Sequence, residues 1–436
     1  SSLLIEKMEF FMKPTLFGYG LTTRAIAKRL GGGCTFFDDT IKEASVDEAG
    51  NQILPSHLFN PEASTLEVTT PSLKPTHPLI KSAQNLMSEY DYILGSNKHG
   101  AINKWSEAVQ GDVNRDVSCA RPRPFTIWIS GTNGKTTTTQ MLTHLLKTRG
   151  AVSGGNIGTP LAELDKKAPI WVLETSSFTL HHTKSASPNI YLLLPITPDH
   201  LDWHGTPQQY EADKLSPLRT MQEGELALIP KGLNVPPSHA YVVEYDENAF
   251  LEEYFCLDAK QVAFKGAFLQ DALLALAITR VLFDEVDYDL INAFKLDGHR
   301  QEKIEDAQGR VWINDSKATN LDATIQAIKG FEGQRIHLIL GGEDKGVDLV
   351  LLFEVMQGCD IKIYTIGANN DKLLDLANTY AIEAHEAKTI DQAVAAIDQE
   401  HTPDSIALLS PAAASFDQFG SYKERGETFV KLVRAL

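Results

Sequence analysis

Thr126–Thr139 reads TIWISGTNGKTTTT, and the fold follows from how this stretch has to be built. Thr126 to Ile129 is a β-branched and aromatic run that suits a buried strand. Gly131 breaks the run, and behind Gly134 and Lys135 a row of threonines opens a helix-compatible segment. A strand, a glycine turn and a helix start bring backbone N–H groups and the positive end of a helix dipole to one point, which suits a nucleoside triphosphate. In that arrangement Lys135 reaches the β- and γ-phosphates and Thr136 offers its hydroxyl to Mg²⁺, with Gly131, Thr132, Asn133, Gly134 and Thr137 completing the ATP loop. The pattern G-x-x-x-x-G-K-[ST] is met in part, because Ile129 stands where its first glycine would be. An ordinary strand-to-helix turn is the competing reading.

The chain has 436 residues, too many for one ordinary core, so roughly two to four domains are expected. Hydrophobic residues make up 43% and charged residues 22%, a globular balance, and no window approaches the run of about 18 apolar residues that a membrane helix needs. With 57 acidic against 40 basic residues the net charge is −17, which argues against nucleic acid as a partner and requires local cations for any anionic ligand. Cys34, Cys119, Cys256 and Cys359 are scattered, without C-x-x-C or metal-ligand spacing, as expected of reduced thiols in a cytoplasmic protein. The stretch before Met12 lacks the order of a secretory signal and is left out of the fold argument. A monomer is expected, with small molecules as its partners.

Upstream, Thr15 to Phe17 reads as a strand, Gly18-Tyr19-Gly20 as a glycine turn, Thr22 to Leu30 as a helix, and Thr35 to Phe37 as a strand ending at Asp38 and Asp39. This βαβ start has the outline of a dinucleotide fingerprint, although Thr23 replaces the third glycine. A nucleotide diphosphate on the helix N-terminus is the preferred reading, and a turn needed only for packing is the other. Strand and turn signals follow at Ser64 to Thr70 and at Tyr90 to Leu94, and Ser96 to Pro124 reads as a linker.

Downstream of the loop, a helix is expected over Thr136 to Arg149, then a second glycine-rich loop, Ser153-Gly154-Gly155-Asn156-Ile157-Gly158. Ile170 to Leu173 is an apolar strand that delivers Glu174 to its carboxyl end, where ligands of an open α/β sheet gather. A metal suits that carboxylate, and a capping or ion-paired glutamate is the alternative. Asn189 to Leu194 delivers Pro195-Ile196-Thr197-Pro198-Asp199-His200-Leu201-Asp202 in the same way. From His299-Arg300 onward, strands at Arg310 to Ile313, Ile336 to Leu340, Ile361 to Ile366 and Ile406 to Leu409 alternate with helices, the pattern of a second parallel sheet. Its strand ends carry Asn314-Asp315-Ser316-Lys317-Ala318-Thr319-Asn320, Gly341-Gly342-Glu343-Asp344-Lys345 and Ser410-Pro411-Ala412-Ala413-Ala414-Ser415. Asp315 suits ribose hydroxyls or a metal, and Lys317 supplies positive charge.

These motifs, in this order, resemble the Mur ligases, which make amide bonds with ATP, and N-D-S-K-A-T-N resembles the branch of that family that adds D-glutamate. The resemblance implies an α/β protein of three domains: a Rossmann-like substrate domain over 12–120, a P-loop-type ATPase domain over 121–298 and a Rossmann-like C-terminal domain over 299–436. It implies ATP, UDP-N-acetylmuramoyl-L-alanine and D-glutamate as ligands. Tyr19, Gly20, Leu21 and Thr22 would meet the UDP moiety, with Asp38 or Asp39 nearby. Mg²⁺ would be held by Thr136 and Glu174 at one site and by His200 at another, Asn156 would help place substrate, and Lys214 would carry a carbamate that also serves the metal. Asp271, Arg300, Asp315 and Lys317 would add to the nucleotide site, where Asp271 stands in place of the family's usual asparagine. Thr319, Lys345, Ser415 and Tyr422 would hold D-glutamate. A folylpolyglutamate-type ligase and a non-catalytic nucleotide-binding protein are the alternatives.

Overall fold

The computed structural model describes residues 13–95, 123–156, 159–197, 199–344 and 346–436. Most of the expected linker therefore lies outside the described residues, as do Cys119, Ile157, Gly158, Pro198 and Lys345. The protein is mixed α/β and contains three six-stranded sheets.

The first comprises β1 (Thr15–Phe17), α1 (Leu21–Arg29), β2 (Thr35–Asp38), β3 (Ser45–Val46), β4 (Gln52–Pro55), β5 (Glu67–Thr69), α2 (Pro78–Ser82), β6 (Leu86–Met87) and α3 (Glu89–Leu94), with strand order β3-β4-β2-β1-β5-β6. Leu16, Ile26, Phe36 and Val68 form its core. The expectation of a strand signal at Tyr90 to Leu94 is corrected, because this stretch is α3. Ser88 caps the helix by accepting from the Asp91 N–H, and Glu89 and Asp91 in its first turn suit the dipole. Tyr90 and Leu94, one turn apart, then bury against Trp128 and its neighbours in the second sheet.

The second sheet runs through β7 (Phe125–Ser130), α4 (Lys135–Leu146), β8 (Ala151–Gly155), β9 (Ile170–Glu174), α5 (Ser177–His182), β10 (Ile190–Leu193), α6 (Leu201–His204), α7 (Pro207–Leu215), β11 (Leu226–Pro230), β12 (Tyr241–Tyr245), α8 (Asn248–Phe255), α9 (Ala267–Phe283) and α10 (Tyr288–Asn292). Its order is β12-β11-β10-β7-β9-β8, and its neighbours pair in parallel. Successive strands fall on one side of β7 and then on the other, so the crevice for a ligand opens at the carboxyl end of β7. The expected glycine-rich loop at Ser153 is also corrected: Ser153, Gly154 and Gly155 pair with Val172, Leu173 and Glu174 as part of β8, and the chain turns only at Asn156.

The third contains β13 (Glu302–Glu305), β14 (Val311–Asn314), α11 (Leu321–Lys329), β15 (Arg335–Gly341), α12 (Val350–Gln357), β16 (Ile361–Ile366), α13 (Asn370–Thr379), β17 (Glu383–Lys388), α14 (Ile390–Asp398), β18 (Ser405–Leu409) and α15 (Tyr422–Arg434), in the order β13-β14-β18-β15-β16-β17. The four strands expected there pair in parallel, and β13, which the sequence reading did not include, runs antiparallel to β14 at the edge. Contacts divide the chain into two compact units. One holds the first two sheets; the other holds the third, from Lys295 onward, with the short segments Thr197–Asp202 and Lys265–Ala267.

Candidate active site

The phosphate loop leaves β7 at Gly131, whose φ of +143° and close approach to Leu194, 2.5 Å from where a Cβ would lie, exclude any side chain. Gly134, at φ +83°, caps α4 in the left-handed region and packs its α-carbon against the Asp271 carboxylate, whose Oδ1 is 2.8 Å from where a Cβ would be. The Lys135 ammonium folds back over the loop and donates to the Gly131 and Thr132 carbonyl oxygens at 2.9 and 3.1 Å. One turn into the crevice, the Thr136 hydroxyl donates to Glu174 Oε1 at 3.0 Å. Glu174 ends β9 and is only 4% exposed, and its carbonyl accepts from the Asn156 N–H at 2.8 Å.

Lys214 completes this cluster from below. It lies on α7, is buried, and donates to Ser130 Oγ at 2.7 Å and to the Gly131 carbonyl oxygen at 2.8 Å. Asp213, directly before it, accepts from His181 Nδ1 at 2.9 Å and from His204 Nδ1 at 2.6 Å. Burial alone would raise the Asp213 carboxyl's pKa, but those two hydrogen bonds hold it below the ordinary value.

In the first sheet, Gly18, Tyr19 and Gly20 form the turn between β1 and α1. Thr23, in place of the third glycine, donates its hydroxyl to the Gly18 carbonyl at 2.5 Å. The acid at the end of β2 closes the same turn: Asp38 Oδ2 accepts the Tyr19 N–H at 2.7 Å. Asp39 faces His77 at 2.7 Å, and Leu21 stands 62% exposed at the start of α1, beside Thr22. Beneath the turn, Glu89 is buried, and burial pushes its carboxyl up to about 7 although the Leu161 N–H and the Thr22 hydroxyl both donate to it.

In the other unit, the β14 end and the loop to α11 carry the N-D-S-K-A-T-N motif. Asp315 is buried; its Oδ2 accepts from Ser410 Oγ at 2.8 Å and its Oδ1 from the Gln301 N–H at 3.2 Å. Burial pushes its carboxyl up to about 7, opposed by Ser410 and by the charge of Arg300. Lys317 Nζ lies 5.9 Å from the centre of the Tyr422 ring. The Ala412 N–H donates to the Ala318 carbonyl at 3.0 Å, and Glu343 and Ala414 pair by their backbones, so the three motif loops are laced together around Thr319 and Ser415. Arg425 of α15 pins them from within. It is 1% exposed and donates to the Ser316 hydroxyl, the Ser316 carbonyl and the Ala413 carbonyl at 2.9, 2.7 and 3.0 Å. His200 belongs to the short segment assigned to this unit, has φ +50°, and meets the Asp199 carboxylate through its backbone N–H at 2.8 Å and its Nε2 at 3.5 Å.

Residues 129–250 match the model of the Mur ligase middle domain, and residues 299–413 match that of the Mur ligase, glutamate ligase domain. A UDP-N-acetylmuramoylalanine–D-glutamate ligase of Campylobacter jejuni (strain RM1221) is 44% identical over 428 residues, covering 98% of this chain and 100% of the relative. The chain belongs to the Mur ligase family. A ligase of the same name from Helicobacter pylori (strain J99) is 42% identical over 97% of this chain and 99% of its own length. Among solved structures, the Mur ligase MurC of Thermotoga maritima superposes with a TM-score of 0.54 at 16% identity, over 96% of this chain and 98% of that one. MurF of the same organism, in complex with ADP, gives 0.53 at 14% identity, over 98% of each chain. At such identities these two structures speak for the Mur ligase fold alone.

The geometry brings together Lys135, Thr136, Glu174, Asn156, Lys214 and Asp271 around one Mur ligase phosphate loop, and Arg300, Asp315, Lys317, Thr319, Ser415 and Tyr422 around the C-terminal loops. Lys214 is only 1% exposed. Three features escaped the sequence reading: Arg425, Glu89 and the His181–Asp213–His204 group. An arginine on an amphipathic terminal helix reads as solvated, and only the carbonyls that converge on Arg425 from other segments reveal it.

Proposed function

We propose that this protein is an ATP-dependent ligase that adds D-glutamate to UDP-N-acetylmuramoyl-L-alanine in peptidoglycan precursor synthesis. The observation that carries the reading is near end-to-end similarity to ligases of that name, joined to a phosphate loop whose lysine, threonine and metal-suited carboxylate converge at one strand end. The proposed division of labour keeps 12–120 for UDP, 121–298 for ATP and 299–436 for the amino acid. The enzyme would act as a cytoplasmic monomer; among the described residues no helix is long and apolar enough to cross a membrane.

In the first step an oxygen of the substrate's terminal carboxylate forms a bond to the γ-phosphorus of ATP as the bond to the β-phosphate bridging oxygen breaks, leaving ADP and an acyl phosphate. The D-glutamate amine then attacks the acyl carbon, loses a proton, and displaces inorganic phosphate. Such chemistry is mostly positioning and charge neutralisation. Lys135 exchanges its two loop carbonyls for phosphate oxygens, and the loop N–H groups and the α4 N-terminus hold the rest. The Thr136 hydroxyl and the buried Glu174 carboxylate are hard oxygen donors of the kind Mg²⁺ takes. When bound, Mg²⁺ neutralises charge on the β- and γ-phosphates. In the proposal His200 serves a second ion, Asp271 and Arg300 contact the nucleotide, and Thr319, Lys345, Ser415 and Tyr422 bind the amino acid, a cation and hydroxyls suiting its two carboxylates.

Lys214 is proposed to carry a carbamate. The nitrogen bonds to the carbon of CO₂ and the ammonium gives up two protons, so a cation becomes an anionic oxygen donor. Supporting this, the ammonium groups of Lys135 and Lys214 both meet the Gly131 carbonyl oxygen, and conversion of one removes that like-charge pairing. Mass spectrometry of native protein under CO₂ should show the adduct, absent in Lys214→Arg.

The function is tested by phosphate release from ATP with UDP-N-acetylmuramoyl-L-alanine and a panel of amino acids. Release with D-glutamate alone is expected. Turnover that instead requires a folate and L-glutamate would establish the folylpolyglutamate-type alternative.

A further inference from the structure

His181, His204 and Asp213 form a cluster that the proposed chemistry does not use. His181 lies on α5, the helix that begins three residues beyond Glu174; His204 ends α6; Asp213 immediately precedes Lys214 on α7. Asp213 Oδ1 accepts from His181 Nδ1 and from Gln209 Nε2, both at 2.9 Å, and Oδ2 accepts from His204 Nδ1 at 2.6 Å. The other ring nitrogen of His204 lies 2.8 Å from Ser177 Oγ. Trp203 packs against both imidazoles, its ring centre 5.2 Å from that of His181 and 4.6 Å from that of His204.

Two histidines and a carboxylate are also a metal-ligand set, with ligand atoms all within 4.8 Å of one another. The geometry favours hydrogen bonds. With both rings neutral and protonated on Nδ1, the carboxylate takes three donors and the Ser177 hydroxyl donates to His204 Nε2, so each of these atoms is satisfied. The 2.6 Å contact is shorter than the roughly 3.3 Å that separates two ligands at about 2.0 Å from a tetrahedral ion.

The placement of this hub gives it a role. Successive helical residues project about 100° apart, so whatever fixes Asp213 also fixes where Lys214 leaves α7. The His204–Ser177 bond ties in the segment that follows Glu174. We propose that Asp213, clamped between His181 and His204, is a positioning residue that holds Lys214 and the Glu174–Ser177 segment in register beneath the phosphate loop. This rests on the reading that Lys214 and Glu174 serve the metal.

The test compares full-length Asp213→Asn, His204→Asn, His204→Phe and Lys214→Ala by steady-state kinetics with Mg²⁺ titration, thermal unfolding and elemental analysis. Asp213→Asn should lower kcat, and raise the Mg²⁺ concentration giving half the maximal rate, by about 10- to 100-fold, the range for groups that orient metal ligands. Its KM for D-glutamate should stay within about twofold. His204→Asn keeps an N–H where Nδ1 stands and should recover most of the Mg²⁺ response, whereas His204→Phe should not. An unchanged Mg²⁺ midpoint in both Asp213→Asn and His204→Phe, with only Tm lowered, would show a purely structural cluster and overturn the proposal. So would a stoichiometric transition metal in the wild-type protein that Asp213→Asn loses. Lys214→Ala separates the two levels: if it keeps normal activity and Mg²⁺ response, the reading of the metal site fails; if it is inactive while Asp213→Asn matches wild type, only the positioning role fails.

Discussion

Lys135 is a half-buried side chain whose ammonium donates to the Gly131 and Thr132 carbonyls of its own loop, so it contributes charge to the loop far more than packing to the core. Lys135→Ala should therefore lower kcat/KM by about 10²-fold or more, the usual cost of a lost transition-state charge contact, while Tm measured without ligand moves little. Glu89 makes the opposite case, a charge that folding suppresses. Its carboxyl stands near 4.5 when exposed and near 7 in the folded chain, because burial outweighs the Leu161 and Thr22 hydrogen bonds. Between those two pH values the folded protein keeps a proton that the unfolded chain has released, so this residue's contribution falls as pH rises through the window and is flat above it. Glu89→Gln should gain stability relative to wild type as pH rises from about 4.5 to 7, read as a widening difference in Tm; a constant difference would refute the assignment. The phosphate loop was legible in the sequence because the backbone at Gly131 (φ +143°) and the crowding of Gly134 by Asp271 both call for glycine. Glu89 was not, because its burial is set by tertiary packing, and the groups that meet it, Leu161 and Thr22, are remote in the chain.

Elements were legible where one face of a segment carries the signal. The apolar strands β7, β9 and β10 and the helix after the loop read directly from hydrophobic runs and glycine punctuation. The short, polar edge strands did not: β17, EAHEAK, buries little apart from Ala387, and β13 announces itself only by pairing with β14. α3 was misread because its aromatic residues favour strands, while the group that decides the matter, Trp128, enters from another sheet. Arg425 shows the same dependence at the end of the chain. One buried guanidinium joins α15 to the loop after β14 and to the loop after β18. Arg425→Met keeps much of the volume but leaves the Ser316 and Ala413 carbonyls without their donor, at about 1–3 kcal/mol for each buried group left unsatisfied. Tm should fall by several degrees and the KM for D-glutamate should rise as the loops loosen. A rise in KM with no loss of Tm would mean that the arginine acts on ligand rather than on the loops.

At the scale of the molecule, the first two sheets pack as one unit and the third as another, each around its own apolar clusters. The order of motifs made the succession of α/β layers legible, because every motif falls at a strand end. The joining of the first two sheets was not, since it depends on Tyr90 and Leu94 of α3 and on Asp91, which accepts the backbone N–H groups of Lys184, Ser185 and Ala186. The division has a kinetic consequence. The phosphate loop belongs to one unit and the loop carrying Thr319 to the other, so a change that removes only an amino-acid contact should leave nucleotide binding untouched. Thr319 is half-buried, with its N–H already spent on the Lys317 carbonyl at 2.9 Å, so Thr319→Val removes a hydroxyl at nearly constant volume without disturbing the turn. Its KM for D-glutamate should rise about tenfold or more, the worth of a hydrogen bond to a charged group. Affinity of the free enzyme for a non-hydrolysable ATP analogue with Mg²⁺, measured by calorimetry, should stay within about twofold. Combined with Lys135→Ala, the losses in analogue affinity should add, as they do for sites without shared partners. A Thr319→Val protein that binds the analogue as poorly as Lys135→Ala would show that Thr319 contacts nucleotide and that its assignment to D-glutamate is wrong.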